Sequence, residues 1–167
     1  MNLDEIEEGS EVFVDSNIFI YHFTGVSGEC SNFLKRCERG ELAAVTSANV
    51  VLEVLHRLMM VEAVRKGLVK PPNIVRKLNK APQKLKRLNE YFINTDKIPE
   101  MGVVVRPITL ETIIKSHIVR LAWGLMVNDS LVVASMQEEG IHVLATGDKA
   151  FERVKEIDVY GPQDVDL

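Results

Sequence analysis

Short runs that are apolar on every position alternate with longer stretches in which apolar residues recur every three or four positions. The first kind reads as strand, the second as helix. A strand is predicted over 11–14, where Val12, Phe13 and Val14 follow one another, and a helix from Ser16 to about Phe23. A second helix runs from about Gly28 to Glu38, and "LAAV" at 42–45 predicts a second strand. Ser47 can cap a long helix that reaches about Lys66 and stops at Gly67. Pro71, Pro72 and Pro82 punctuate two further helical pieces, about 73–79 and 82–93. "GVVVRP" at 102–107 is a third strand, bounded by glycine and proline. Thr109 opens a helix that ends near Gly124, and another runs from about Asn128, its expected N-cap, to Glu139 with Gly140 as its stop. A fourth strand is expected at 141–145, a short helix around 149–154 and a weak fifth strand near Val159.

Strands this short and this apolar are covered on both faces, so the alternation predicts a parallel sheet between helical layers. In open parallel sheets ligands bind beyond the carboxyl ends of the strands, where the strand order reverses. Asp15 stands at that end of the first strand, inside the otherwise apolar "FVDSNIFIYHF". Thr146 and Asp148 stand at the corresponding end of the fourth. If those two strands are neighbours, the acids face each other.

Composition narrows the picture. The chain has 167 residues, 46% of them hydrophobic, which suits one globular domain with a sizeable core. No apolar stretch approaches the ~20 residues of a membrane span, and the acidic start "MNLDEIEEGSE" has no signal-peptide layout. Cys30 and Cys37 fall on one predicted helix, ~10 Å apart along its axis, too far for a disulfide. Both read as free thiols, and the cytoplasm is the expected compartment. The net charge is −4, yet Arg65 to Asn89 holds nine of the twenty basic residues and no acid. Such asymmetry points to a polyanion partner, although two solvated amphipathic helices produce the same pattern.

The acids carry the candidate chemistry. Glu53 lies with Asn49, His56 and Arg57 on a polar stripe of the long helix, where an i, i+4 pair with Arg57 is the plainer explanation. Asp129 sits in the first turn of its helix, where a carboxylate also complements the helix dipole. Asp15 and Asp148 can each serve as a helix cap. Singly these signals are weak; their order is specific. "VDSNIFIY", "SANVVLEVL", "NDSLVVASM" and "TGDKAF" resemble the sequence blocks of the PIN-domain ribonucleases, above all the VapC-like toxins of type II toxin–antitoxin pairs, from Val12 to about Asp158.

That resemblance implies a three-layer α/β/α PIN-like domain with a parallel sheet of strand order 3-2-1-4-5; the chain is expected to form it over 1–167, and the basic helical stretch around 65–93 departs from the family pattern as an insertion. It matches Asp15, Glu53, Asp129 and Asp148 to the acidic set, and it pairs Asn17 and Thr146 with the polar positions beside them. It further implies a homodimer and an antitoxin segment docked beside the site, along the helices at 16–23 and 50–64. The chemistry expected is hydrolysis of RNA phosphodiesters. Oxygen-only carboxylate ligands suit Mg²⁺ or Mn²⁺, and metal relieves the mutual repulsion of clustered acids. Lys77, Lys80, Lys84 and Lys86 are the expected RNA-backbone contacts.

Other site chemistries find little support. The four histidines show no zinc spacing, and there is neither a C-x-x-C pair nor a Gly-rich phosphate loop. A signalling phosphoacceptor domain would need a pair of acids after the first strand, where "DSN" offers one. A non-catalytic PIN-like scaffold that binds RNA or a protein is the alternative to the nuclease.

Overall fold

The computed structural model describes residues 1–165. Five strands form one sheet: β1 (Glu11–Val14), β2 (Ala43–Ser47), β3 (Val103–Arg106), β4 (Val143–Ala145) and β5 (Asp158–Tyr160). Every pairing is parallel and the order is β3-β2-β1-β4-β5, as the sequence predicts. Phe13 in the central strand lies opposite Val45 on one side and Leu144 on the other. Val12, Phe13, Val14, Leu144 and Ala145 are buried, because helices cover both faces of the sheet.

The helices are α1 (Ser16–Thr24), α2 (Gly28–Glu38), α3 (Ala48–Arg65), α4 (Ile74–Asn79), α5 (Pro82–Leu85), α6 (Glu90–Asp96), α7 (Leu110–Trp123) and α8 (Val127–Glu139). The core joins the strands to Ile18 and Phe19 of α1, Phe33 and Leu34 of α2, Val50, Val54 and Leu58 of α3, and Val132, Val133 and Met136 of α8. Cys30 and Cys37 are buried free thiols, and Trp123 packs against this core. Among the described residues, no single helix is long and apolar enough to cross a membrane.

Several boundaries differ from the sequence pattern for local reasons. The piece expected over 82–93 is broken: α5 ends at Leu85 and α6 starts at Glu90. The cause is Glu62, which is only 3% exposed. Its carboxylate accepts from the amides of Asn89 (3.0 Å) and Tyr91 (2.9 Å), capping α6 from another helix. Burial works against its charge, but Lys66 at 2.6 Å and the two amides more than offset that and hold its carboxyl below the usual range. The N-cap of α8 is Met126, so Asn128 lies inside the first turn with Asp129. Ser47 occupies the N-cap position of α3, but its hydroxyl donates to the Asn49 side chain instead of capping the backbone. Strand β4 starts later than expected because the Ile141 amide is spent closing α8 on Met136 O (2.9 Å), where Gly140 takes the left-handed conformation.

Residues 66–89 fold back on the C-terminal half of α3. Leu68, Val69, Leu78 and Leu88 share a second small apolar cluster there with Ala63. Exposed large apolar side chains are densest on α7 and around the start of α8: Leu110 is 72% exposed, Ile118 70% and Leu121 75%, with Ile113, Ile114, Met126 and Val127 beside them in sequence.

Candidate active site

Strand β1 ends at the point where the strand order reverses, between β2 and β4, and the chain must turn there into α1. Asp15 makes the turn. Its amide continues the ladder to Ala145 O (3.0 Å), and its Oδ1 accepts from the Ser16 amide (2.7 Å), capping α1. The other oxygen, Oδ2, accepts from the Thr146 hydroxyl (2.7 Å) and from Asn17 Nδ2 (2.9 Å). Asp15 is 7% exposed. Burial raises its pKa to about 6; the Thr146 hydroxyl and the Ser16 amide pull it down, while the charges of Glu53 and Asp129 push it further up.

Thr146 is the joint between the two strand ends. Its oxygen donates to Asp15 and accepts from Asn17 Nδ2 (3.0 Å) and from the Asp148 amide (3.0 Å). Asn17 completes the brace by accepting from the Gly147 amide (2.8 Å). Asp148 caps the short 3-10 helix Lys149–Arg153 through the Ala150 amide (2.7 Å). Beyond β5, the Gly161 Cα lies against this turn: a Cβ there would stand 2.5 Å from Thr146 O, so only glycine fits.

The four acids are brought together. Asp15, Glu53, Asp129 and Asp148 all line one open cleft of about 620 Å³, with Asn17 beside them. Glu53 comes from α3 and is paired loosely with Arg57, Nε standing 3.9 Å from its carboxylate. Asp129 comes from the first turn of α8; burial, and after it the charge of Asp148, raises its pKa. Both the capping and pairing duties suggested by the sequence and the shared cleft are therefore present. Ile20 and Tyr21 of α1 and Val61 of α3 add an apolar wall.

The donor set is all oxygen and negatively charged, which fits a hard divalent cation. Among the described residues no three acidic, histidine or cysteine side chains stand close enough to hold one ion together.

The basic stretch lies elsewhere. None of Lys77, Lys80, Lys84 and Lys86 lines the acidic cleft. Lys77 donates to Lys70 O (2.7 Å) and Lys84 to Leu68 O (2.6 Å), while Lys80 borders a second cleft with Met60 and Arg76. Although the stretch holds no acid, Arg65 pairs with Glu90, and Lys66 with Glu62 and Glu90. The cations that do line the acidic cleft are Arg57 and Lys149. The sequence marks Arg57 only as a partner for Glu53, and neither Lys149 nor Tyr21 carries a signal there.

The sequence profile of the PIN domain family matches residues 12–157. The chain belongs to the PIN domain family. A chain of a toxin–antitoxin complex from Klebsiella pneumoniae superposes with a TM-score of 0.55 at 18% identity, covering 93% of this chain and 99% of that one. A chain of VapBC2 from Rickettsia felis, bound to a DNA fragment from their promoter, gives 0.54 at 15% identity, covering 92% and 99%. At such identities the likeness concerns the fold. No curated protein matches the chain.

Proposed function

We propose that this PIN domain is a metal-dependent endoribonuclease and the toxin of a toxin–antitoxin pair. The observation that carries the nuclease reading is the single cleft lined by Asp15, Glu53, Asp129 and Asp148 at the carboxyl ends of β1 and β4. These four side chains would hold Mg²⁺ or Mn²⁺, directly or through water. When bound, the ion would neutralise phosphate charge and help ionise a water. Thr146 and Asn17 fix the Asp15 carboxylate, so that residue presents a constant orientation to whatever enters.

The toxin reading rests on the family and on the shared fold with chains of toxin–antitoxin complexes. An antitoxin segment would lie along α1 and α3, where Ile20, Tyr21 and Val61 continue the acidic cleft as an apolar wall. The homodimer reading has its support on α7. Its outward residues Leu110, Ile114, Ile118 and Leu121 are large, apolar and mostly exposed, the kind of surface that a partner covers. Two buried free thiols suit a reducing compartment, the cytoplasm.

Lys77, Lys80, Lys84 and Lys86 would engage RNA at a distance from the cleft. Their replacement by alanine should then flatten the salt dependence of RNA binding; an unchanged slope would leave Lys77 and Lys84 as braces of the insertion alone. A scaffold that binds RNA without cutting it draws its support from the absence of a tight ligand cluster among the described residues. One experiment separates the two readings: a panel of labelled RNAs incubated with Mg²⁺, Mn²⁺ or EDTA, using wild type and Asp15→Asn. Metal-dependent cutting by wild type alone is expected; binding without cutting by both would favour the scaffold.

A further inference from the structure

The cleft poses an electrostatic problem that a metal solves only in part. A divalent ion neutralises the phosphate it touches. The phosphates one nucleotide away on either side still face the field of four carboxylates. Those neighbours need cations of the protein's own, and the insertion does not place its lysines along the cleft.

Arg57 and Lys149 come from different walls. Arg57 lies one helical turn beyond Glu53 on α3, and Lys149 follows Asp148 past the end of β4. The Arg57 side chain is 60% exposed, and its ion-pair partner among the described residues, Glu53, stands 3.9 Å from Nε. Its terminal nitrogens have no hydrogen-bond partner among the described residues. Lys149 is exposed, with no ion pair among the described residues. The half-buried Tyr21 lines the same cleft, close enough to feel the charges of Asp15, Arg57 and Asp148. The cleft they line is open, with a volume of about 620 Å³, and acids, cations and an aromatic ring share it. Single strands are held by backbone cations together with aromatic faces that stack bases without reading them.

Resting on the ribonuclease reading above, we infer that Arg57 and Lys149 hold the phosphates flanking the scissile one in a single RNA strand, and that the Tyr21 ring stacks on an adjacent base. Arg57 and Lys149 are positioning residues in this scheme: they set where the strand lies, and the acids remain the reacting centre.

The test uses full-length Asp15→Asn protein, which binds without cutting, and a short labelled single-stranded RNA titrated at several salt concentrations. Each phosphate contact adds about 0.7 to the salt slope for a single strand. Adding Arg57→Ala or Lys149→Ala should lower the slope by about 0.7, and both together by about 1.4. Arg57→Lys and Lys149→Arg keep the charge and should keep the slope. Tyr21→Leu should weaken binding roughly tenfold at constant slope, whereas Tyr21→Phe should not. Should Tyr21→Leu be unfolded in a melting curve, Tyr21→Trp replaces it, and its fluorescence should be quenched on binding. An unchanged slope in the double variant overturns the phosphate contacts. Equal binding by the Leu and Phe variants, or an unquenched tryptophan, overturns the stacking. If Asp15→Asn binds no RNA and wild type cuts none with either metal, the ribonuclease reading itself has failed.

Discussion

In metal-free protein the Asp15 carboxyl should make stability fall as pH rises, and Asp15→Asn should remove that dependence. Its folded pKa is about 6 against an ordinary 3.8, chiefly because it is buried. Between those two values the folded chain binds more protons than the unfolded one. Stability therefore declines through this window, and the full penalty is in place above it. The difference corresponds to about 3 kcal/mol, of which about 2 kcal/mol falls between about pH 4.5 and about pH 7. The replacement also has a cost. An amide nitrogen in place of Oδ2 would meet Asn17 Nδ2, a donor, and a Thr146 oxygen that already accepts from Asn17 and the Asp148 amide. A mismatched buried donor costs about 1–3 kcal/mol, so near pH 7 the two effects roughly cancel. The informative quantity is thus the pH dependence of the difference. Urea unfolding of both proteins in EDTA, at about pH 4.5, 5.5 and 7, should show the variant gaining on wild type by about 2 kcal/mol across the range. A difference that stays constant with pH would refute the reasoning. Adding Mg²⁺ near pH 7 should stabilise wild type by mass action and leave the variant almost unmoved.

Thr146→Val should cost about 2 kcal/mol and abolish cleavage, since one hydroxyl serves Asp15, Asn17 and the Asp148 amide; Thr146→Ser should restore both in unfolding and cleavage assays. Glu62→Ala should cost about 2–3 kcal/mol in urea unfolding and speed amide exchange at Asn89 and Tyr91, which lose their acceptor; unchanged exchange would show that α6 does not depend on this cap. Ile114→Glu with Ile118→Glu should convert a dimer to a monomer in light scattering while the single chain stays folded, because both side chains are exposed within it; a wild type that is already monomeric at micromolar concentration would remove the dimer.

What the sequence conveyed well was whatever depends on a residue's own neighbours. Val12, Phe13 and Val14 are apolar on both faces of a strand, which argues for a buried parallel sheet, and all three are buried; the strand order was an expectation from the family resemblance, and it is the order found. An acid at position 15 was conspicuous because the residues around it head into the core. The break between α5 and α6 was not legible, because its cause is a carboxylate 27 residues away reaching the Asn89 amide. Periodicity reports local preference and is blind to a cap arriving from another helix. The surroundings of the basic run were equally hidden. Counting charges over 65–89 cannot reveal that Lys77 and Lys84 turn back onto backbone carbonyls, or that Glu62 and Glu90, the first inside an apolar helix and the second just past the run, neutralise its beginning.

Helix α7 shows why the missing part concerns partners above all. An amphipathic helix ordinarily turns its large apolar side chains inward. Here the buried positions are Thr112, Ser116 and Val119, and the hydroxyls are satisfied locally: Thr112 donates to Glu138 (2.8 Å) and Ser116 to Ile113 O (2.7 Å). Leu110, Ile114, Ile118 and Leu121 recur at spacings of four, four and three and face outward. The helix is inverted with respect to its own core. Small side chains on the inner face let α7 lie close against α8, the helix that carries Asp129, and the large ones are left for something else to cover. Met126 and Val127, also exposed, extend the apolar surface to within two residues of Asp129. A second copy seated on this face would therefore press against the turn that aims one of the four acids. Assembly and site geometry would then be coupled through α8, and the Ile114→Glu, Ile118→Glu protein should lose cleavage activity along with its dimer, while still unfolding in urea as one cooperative transition.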